Sequence, residues 1–397
     1  FRLWHAGIIK RTDAILAFMT ISLQIIQNQI PPDVIDLGLG DPPLSVLPLD
    51  LIRASAQRQL LRNDRSFLQY GTEQGDGYFR LALAKFLGKS YAFEVKPESL
   101  FVTNGISQAL GLICTLFTKA GDTIFVEEPS YFLALKIFAD HHLNVISITT
   151  DENGLMIESL EENLAKAHPK FLYLIPAFQN PTGHTLSQQR RERLVQLAQE
   201  HNFILVADEV YQLLSYTQQP PASFAKYIDR ENIISLGSFS KILAPGLRLG
   251  WVQAHPQVIK RFIASGLLDS GGGLNPFTSA MVRGVIESGD LEENINKLVA
   301  IYGSWGNTMD SALRQHLPNL EYSTPQGGFF FWVRLPARID ATELRKSAGR
   351  FKVDFRPGAL FSSKGELKDY IRLCFVHYNE EKIEEGIMRL KQCLEEE

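Results

Sequence analysis

Ser235-Leu-Gly-Ser-Phe-Ser-Lys-Ile-Leu-Ala-Pro-Gly-Leu-Arg-Leu-Gly-Trp251 decides the fold. It begins inside an apolar run, Ile233 to Leu236, with the length and composition of a buried strand. The strand leads into small hydroxylated residues, one lysine at Lys241, a Pro-Gly break and Arg248. Ser238, Ser240 and Arg248 can all donate to an anion, and Lys241 sets an amine beside them. Most lysines on such a loop are simply solvated. Lys241 acquires a chemical meaning only if neighbouring strands bring it partners.

Outward from that stretch the chain repeats one pattern. Strands are expected at 100–103, 123–127, 145–148, 171–175, 203–207, 233–236 and 249–254, the last of them antiparallel. Helices are expected from Gly105 to Phe117, from Tyr131, and over 157–167 and 187–201. Short, continuously apolar strands alternating with helices predict an α/β fold: a mostly parallel seven-stranded sheet covered on both faces. After residue 285 a long helical pattern (291–316) precedes strand-like runs at Gly327–Val333 and Tyr370–Phe375, then a terminal helix from Glu380. That is a smaller α+β C-terminal domain. Ahead of the sheet, Ile8, Ile15, Phe18, Met19, Leu23 and Ile26 lie at helical spacing and predict an N-terminal helix or arm, stopped by Pro31-Pro32. The expected domains are an arm with a first substrate loop (1–49), a large domain (50–285) and a small domain (286–397).

Composition narrows the function. A 397-residue chain with 45% apolar and 21% charged residues is an ordinary globular protein large enough for two domains. A net charge of −4 argues against nucleic acid as the main partner, since phosphate backbones select basic faces. No apolar run reaches the ~20 residues that span a bilayer, and Lys10, Arg11 and Asp13 break any secretory signal. Cys114, Cys374 and Cys393 have no metal-like spacing and are odd in number, which predicts a reducing cytoplasm and no metal site.

In an open α/β sheet, ligands gather where strands end at their carboxyl side, and polar residues fall at those ends repeatedly. Thr103-Asn-Gly105-Ile106-Ser107 opens a helix, and the free amides and dipole of a helix start suit a phosphate. Glu128-Pro-Ser-Tyr131 sets an aromatic ring at the next strand end. Asn180-Pro-Thr-Gly183 is strong turn chemistry that can aim an amide at a ligand oxygen. Asp208-Glu-Val-Tyr211 finishes an apolar strand with a carboxylate, costly there unless it is paired, needed by a ligand, or caps a helix. Arg372, in the run Ile371-Arg-Leu-Cys-Phe375, either forks onto a carboxylate or snorkels to water. A phosphate cradle, a ring to stack, a carboxylate for a ring nitrogen, donors for a ring oxygen and an amine are together the parts that pyridoxal phosphate needs.

Asn180-Pro-Thr-Gly183, Asp208-Glu-Val-Tyr211 and Ser238-Phe-Ser-Lys241 with Arg248 resemble, in order and spacing, the class I/II aminotransferases of the fold-type I pyridoxal-phosphate superfamily. The resemblance covers the chain from about Ile35 to its end. It is greatest to the 2-aminoadipate/kynurenine-type, broad-specificity bacterial branch. It implies that Lys241 forms the aldimine with the cofactor and that Asp208 keeps the pyridine nitrogen protonated. It places Tyr211 and Asn180 on the ring's phenolic oxygen, and Tyr131 on the ring face. Ser238, Arg248 and the backbone at Gly105, Ile106 and Ser107 would hold the phosphate. Arg372, with Asn180 and the backbone near Gly40, would clamp the substrate's α-carboxylate. Tyr70 would reach the partner subunit's site, implying a homodimer. Ile106 departs from the small residue usual there and loses a side-chain hydroxyl contact.

The implied activity is ping-pong transfer of an amino group from an α-amino acid to a 2-oxo acid. The same scaffold also carries β-elimination and decarboxylation, and Arg372 suits any α-amino acid. Regulators that reuse the fold as an effector-binding domain carry a basic winged-helix domain ahead of it, and the short stretch before Ile35 predicts none. Aromatic, branched-chain and aminoadipate substrates all remain open. Arg2 or Arg11 is a candidate for a distal carboxylate, and Gly271-Gly-Gly-Leu-Asn-Pro-Phe277 for a segment near the subunit interface.

Overall fold

The computed structural model describes residue 27 and residues 30–216 and 222–396. The expected N-terminal helix over 8–28, with Arg2 and Arg11, lies outside the described residues apart from residue 27. In chain order the strands are β1 (Ile35–Asp36), β2 (Leu100–Thr103), β3 (Thr123–Glu128), β4 (Asn144–Asp151), β5 (Gly154–Leu155), β6 (Phe171–Leu174), β7 (Ile204–Asp208), β8 (Ile233–Ser238), β9 (Gly250–Ala254), β10 (Glu321–Tyr322), β11 (Phe330–Arg334), β12 (Val353–Asp354), β13 (Arg356–Pro357) and β14 (Tyr370–Cys374).

Eight strands form the large sheet, in the order β2-β9-β8-β7-β6-β3-β4-β5. From β8 to β4 every pairing is parallel. β9 runs antiparallel to both of its neighbours, as expected for 249–254. The expected seven strands are corrected to eight, because β5 adds an antiparallel edge to β4. Two residues after a turn are too short to leave a periodic signal.

Both faces are covered, and the pleat shows it residue by residue. Ile124, Val126, Tyr173, Val206 and Ile234 enter one apolar cluster. Phe125, Leu172, Leu174, Leu205 and Ile233 enter the other. Each fully buried side chain of this size contributes about 1.5–3 kcal/mol through removal from water.

Strand order reverses between β3 and β6, since the chain adds β4 on one side and β7 and β8 on the other. Ligand crevices in open α/β sheets form at such a reversal. The second sheet, β10-β11-β14-β13, is antiparallel throughout and forms the smaller α+β part with the packed helices Asp290–His316 and Glu380–Glu395. β1 pairs in parallel with β12, so the segment Leu37–Asp41 is carried from the small sheet's side towards the crevice. Among the described residues no helix is long and apolar enough to cross a membrane.

Candidate active site

Asp208 is the last residue of β7 and is 3% exposed. The Tyr173 hydroxyl donates to Oδ2 at 2.8 Å, and the Val210 N–H donates to Oδ1 at 3.3 Å. Turns, not a helix, follow it, which removes the helix-cap explanation. Burial pushes its carboxyl up to about 6, with the two hydrogen bonds holding it down. Among the described residues it forms no ion pair, so it is a buried carboxylate awaiting a cation.

Lys241 follows β8 by three residues. Its Nζ donates to the Gly40 carbonyl at 2.7 Å and stands 5.3 Å from the centre of the Phe329 ring. Burial lowers the pKa of this amine, and Asp41 acts the other way. Tyr211 is buried against Phe329 and Phe330, ring centres 5.2 and 6.1 Å away.

Arg372, in β14, is 3% exposed. Snorkelling to water is therefore overturned. Nη1 donates to Asn180 Oδ1 at 2.9 Å and Nη2 to the Gly38 carbonyl at 2.6 Å. The guanidinium carbon lies 4.0 Å from the Phe330 ring centre and 5.0 Å from that of Phe361. Both rings lie within cation–π reach of the guanidinium. Burial lowers its pKa to about 10, and Nε is buried without a partner among the described residues. A Cβ on Gly40 would stand 3.3 Å from the Phe330 ring, so the ring would have to give by a few tenths of an ångström to admit a side chain there.

A third group gathers where helix Ile106–Phe117 begins. Gly105 takes φ +86°, leaving the amides of Ile106 and Ser107 at the helix start, where the dipole attracts anions. Arg248 crosses over it, and its Nη2 donates to the Asn104 carbonyl at 3.1 Å. A Cβ on Gly105 would stand 3.0 Å from that same nitrogen. Ser238 Oγ donates to Ser240 Oγ at 2.9 Å, and Thr103 Oγ1 and Asn104 Oδ1 are buried without partners among the described residues. Amides, guanidinium and hydroxyls in one cradle fit a phosphate.

Tyr131 caps the start of helix Phe132–Asp140. Burial, then the charge of Asp208, raises its hydroxyl to about 12. Tyr70 is not brought into contact with these residues and is 80% exposed. Its neighbour Gly71 bridges to Gly273, which ties the glycine segment to the Tyr70 loop. A Cβ on Gly273 would fall 1.8 Å from the Thr72 carbonyl oxygen. Gly273→Ala is expected to displace that loop and to destabilise the protein by about 1–3 kcal/mol, as read by thermal unfolding.

Sequence reading missed Tyr173, Glu127, Gln179, Phe330 and Phe361. Tyr173 and Glu127 carried a signal, since a polar atom that a buried strand takes out of water must find a partner. The two phenylalanines carried none, because they are indistinguishable from core residues.

Residues 32–390 match the family described as aminotransferase class I and II. The chain is 35% identical over 372 residues to aromatic-amino-acid aminotransferase 1 of Thermococcus litoralis, covering 92% of this chain and 89% of that protein. Kynurenine aminotransferase of Pyrococcus horikoshii, determined with PMP, is 32% identical at a TM-score of 0.87, over 96% of this chain and 98% of that one. The α-aminoadipate aminotransferase LysN of Thermus thermophilus, complexed with N-(5'-phosphopyridoxyl)-L-leucine, is 29% identical at a TM-score of 0.84, over 94% and 95%. By the family match and these relatives, the chain belongs to the class I and II aminotransferases, as an enzyme that moves amino groups with pyridoxal phosphate.

Proposed function

We propose that this aminotransferase takes α-amino acids with large apolar or aromatic side chains as donors, 2-oxo acids as acceptors, and Lys241 as its reactive amine. The observation that carries the reading is Arg372, whose guanidinium carbon lies over the rings of Phe330 and Phe361 and whose Nη1 donates to Asn180. It offers a forked site for an α-carboxylate with aromatic walls next to it. The aromatic-amino-acid and kynurenine aminotransferases among the relatives support this choice.

Pyridoxal phosphate, when bound, supplies a carbonyl carbon that holds the amino group and a protonated ring that takes up the electron pair left on the substrate's α-carbon. The protein's residues do the rest. Arg248, Ser238 and the amides of Ile106 and Ser107 hold the phosphate. Asp208 keeps the proton on the ring nitrogen, and Tyr173 orients Asp208. Tyr211 and Asn180 donate to the phenolic oxygen, and Tyr131 covers one ring face. Lys241 Nζ carries the proton away from the substrate's α-carbon, a task that requires the neutral amine its burial favours. Arg372 fixes the substrate so that its Cα–H faces that amine.

The segments on either side of Tyr70 expose Leu61, Leu68 and Tyr78 at 84%, 69% and 73%. Apolar area of this kind suits burial against a second copy, with Tyr70 entering the partner subunit's site. A homodimer in the cytoplasm, built from an arm, a large domain and a small domain, is the proposed form. Sedimentation of the purified protein at twice the monomer mass checks the dimer.

Two measurements test the donor class. A panel of amino donors against 2-oxoglutarate and pyruvate is expected to rank aromatic and branched-chain donors above aspartate; the reverse ranking sinks the assignment. Arg372→Lys keeps the charge but loses the fork. It is expected to lower kcat/KM by about 10²-fold for every donor, mostly through KM.

A further inference from the structure

Two side chains organise the crevice between β3 and β6, and none of the roles above uses them. Glu127, in β3, is 2% exposed. Its Oε2 accepts from the Ile175 N–H just past β6 at 2.9 Å and from Gln179 Nε2 at 3.4 Å. Gln179 is 4% exposed. Its Nε2 also donates to the Pro129 carbonyl at 2.8 Å. Its Oε1 accepts from both the N–H and the hydroxyl of Thr182, each at 2.9 Å. Two donors and two acceptor sites exhaust what a carboxamide offers.

These bonds reach two different loops. Pro129 lies two residues before Tyr131, and Thr182 closes the turn that contains Asn180. From the other side Arg191, 1% exposed, donates to the carbonyls of Pro176 at 2.6 Å and Leu186 at 3.0 Å. The Asn180 loop is therefore clamped at both ends, while among the described residues its hydrogen-bonded link to the Tyr131 loop runs through the Gln179 side chain.

We propose that Gln179, itself oriented by Glu127, is a positioning residue that sets Tyr131 and Asn180 relative to each other across the cofactor site. A carboxamide suits this task because it presents N–H donors on one edge and a carbonyl on the other in one rigid plane. A carboxylate has no N–H for the Pro129 carbonyl, and an apolar side chain strands that carbonyl and Glu127 together. The inference rests on the proposed contacts of Tyr131 and Asn180 with pyridoxal phosphate.

The test uses the isosteric variants Gln179→Glu and Glu127→Gln, with Asn180→Ala and Tyr131→Ala as references. Pyridoxal phosphate is titrated into each protein, and the bound cofactor's visible band is followed in wavelength and across pH. Gln179→Glu is expected to weaken cofactor binding about tenfold, to move the band as the reference variants move it, and to lower kcat/KM by about 10²-fold. A folded Gln179→Glu protein with the parent's binding constant and band overturns the proposal, whatever its thermal midpoint does. Should that variant fail to fold, Thr182→Val decides. It removes one of the two bonds to Gln179 Oε1 and is expected to weaken cofactor binding about threefold with a smaller band shift; an unchanged constant and band overturn the proposal. If the two references also leave the band unaltered, the contacts assigned to Tyr131 and Asn180 fall, and the proposal with them.

Discussion

Lys241→Ala is expected to lower turnover by about 10⁴-fold or more, because it removes both the amine that holds the cofactor and the base that moves the substrate's proton. Cofactor binding is expected to survive in weakened form. The phosphate cradle at Gly105, Ile106, Ser107 and Arg248, and the carboxylate of Asp208, lie on other elements, and Asp208 keeps its hydrogen bonds from Tyr173 and Val210. The variant should therefore take up pyridoxal phosphate and show its absorption, yet release it readily on dialysis. The fold should tolerate the change, since among the described residues the one side-chain hydrogen bond lost is that from Nζ to the Gly40 carbonyl, worth about 1 kcal/mol. A small added amine should restore part of the activity by supplying a base where Nζ stood, and Lys241→Arg should not, because a guanidinium stays protonated. Turnover within tenfold of the parent would remove Lys241 from the reaction.

The fold was legible because its strands are short, apolar and separated by helices, and that pattern has few other solutions. Asp208, Lys241 and Arg372 were legible for a different reason. Each is a charged residue at or beside an apolar strand, where a charge is costly without a role. What stayed hidden depended on tertiary contact. Arg372 offered two outcomes in sequence, and only the rings of Phe330 and Phe361, from β11 and the turn after β13, choose between them. Tyr173 sits 35 residues before the carboxylate it orients, and parallel pairing of β6 with β7 makes them neighbours. Gln179 read as one more residue of a turn. Its importance appears only when Pro129, 50 residues earlier, is found on its amide. β5 was missed for want of length, and Tyr70 keeps its place in the proposal only through a second subunit.

Asp208→Asn is expected to lower kcat by about 10³-fold, the upper range for loss of one preorganised charge contact. The replacement has the same shape and leaves the Tyr173 and Val210 bonds within reach, so the loss reports charge. An amide cannot hold a proton on the ring nitrogen, and the electron pair at the substrate's α-carbon then has no sink. A pH signature separates this effect from misfolding. Without cofactor the folded protein holds the Asp208 proton more tightly than the unfolded chain, about 6 against an ordinary value near 3.9. The stability this contributes is complete below about pH 4 and is lost as pH rises through 6, where a buried carboxylate stands without a cation. The protonated ring supplies that cation. The gain in thermal midpoint on adding pyridoxal phosphate should therefore grow between about pH 4 and 6.5 and then level off. Glu127 and Glu209, whose pKa values burial also raises, titrate in both proteins and cancel in the comparison. Asp208→Asn should flatten the rise. Tyr173→Phe, which removes a bond that favours the ionised carboxyl, should move it to higher pH. A rise of equal size and position in Asp208→Asn would mean that Asp208 does not face the ring nitrogen.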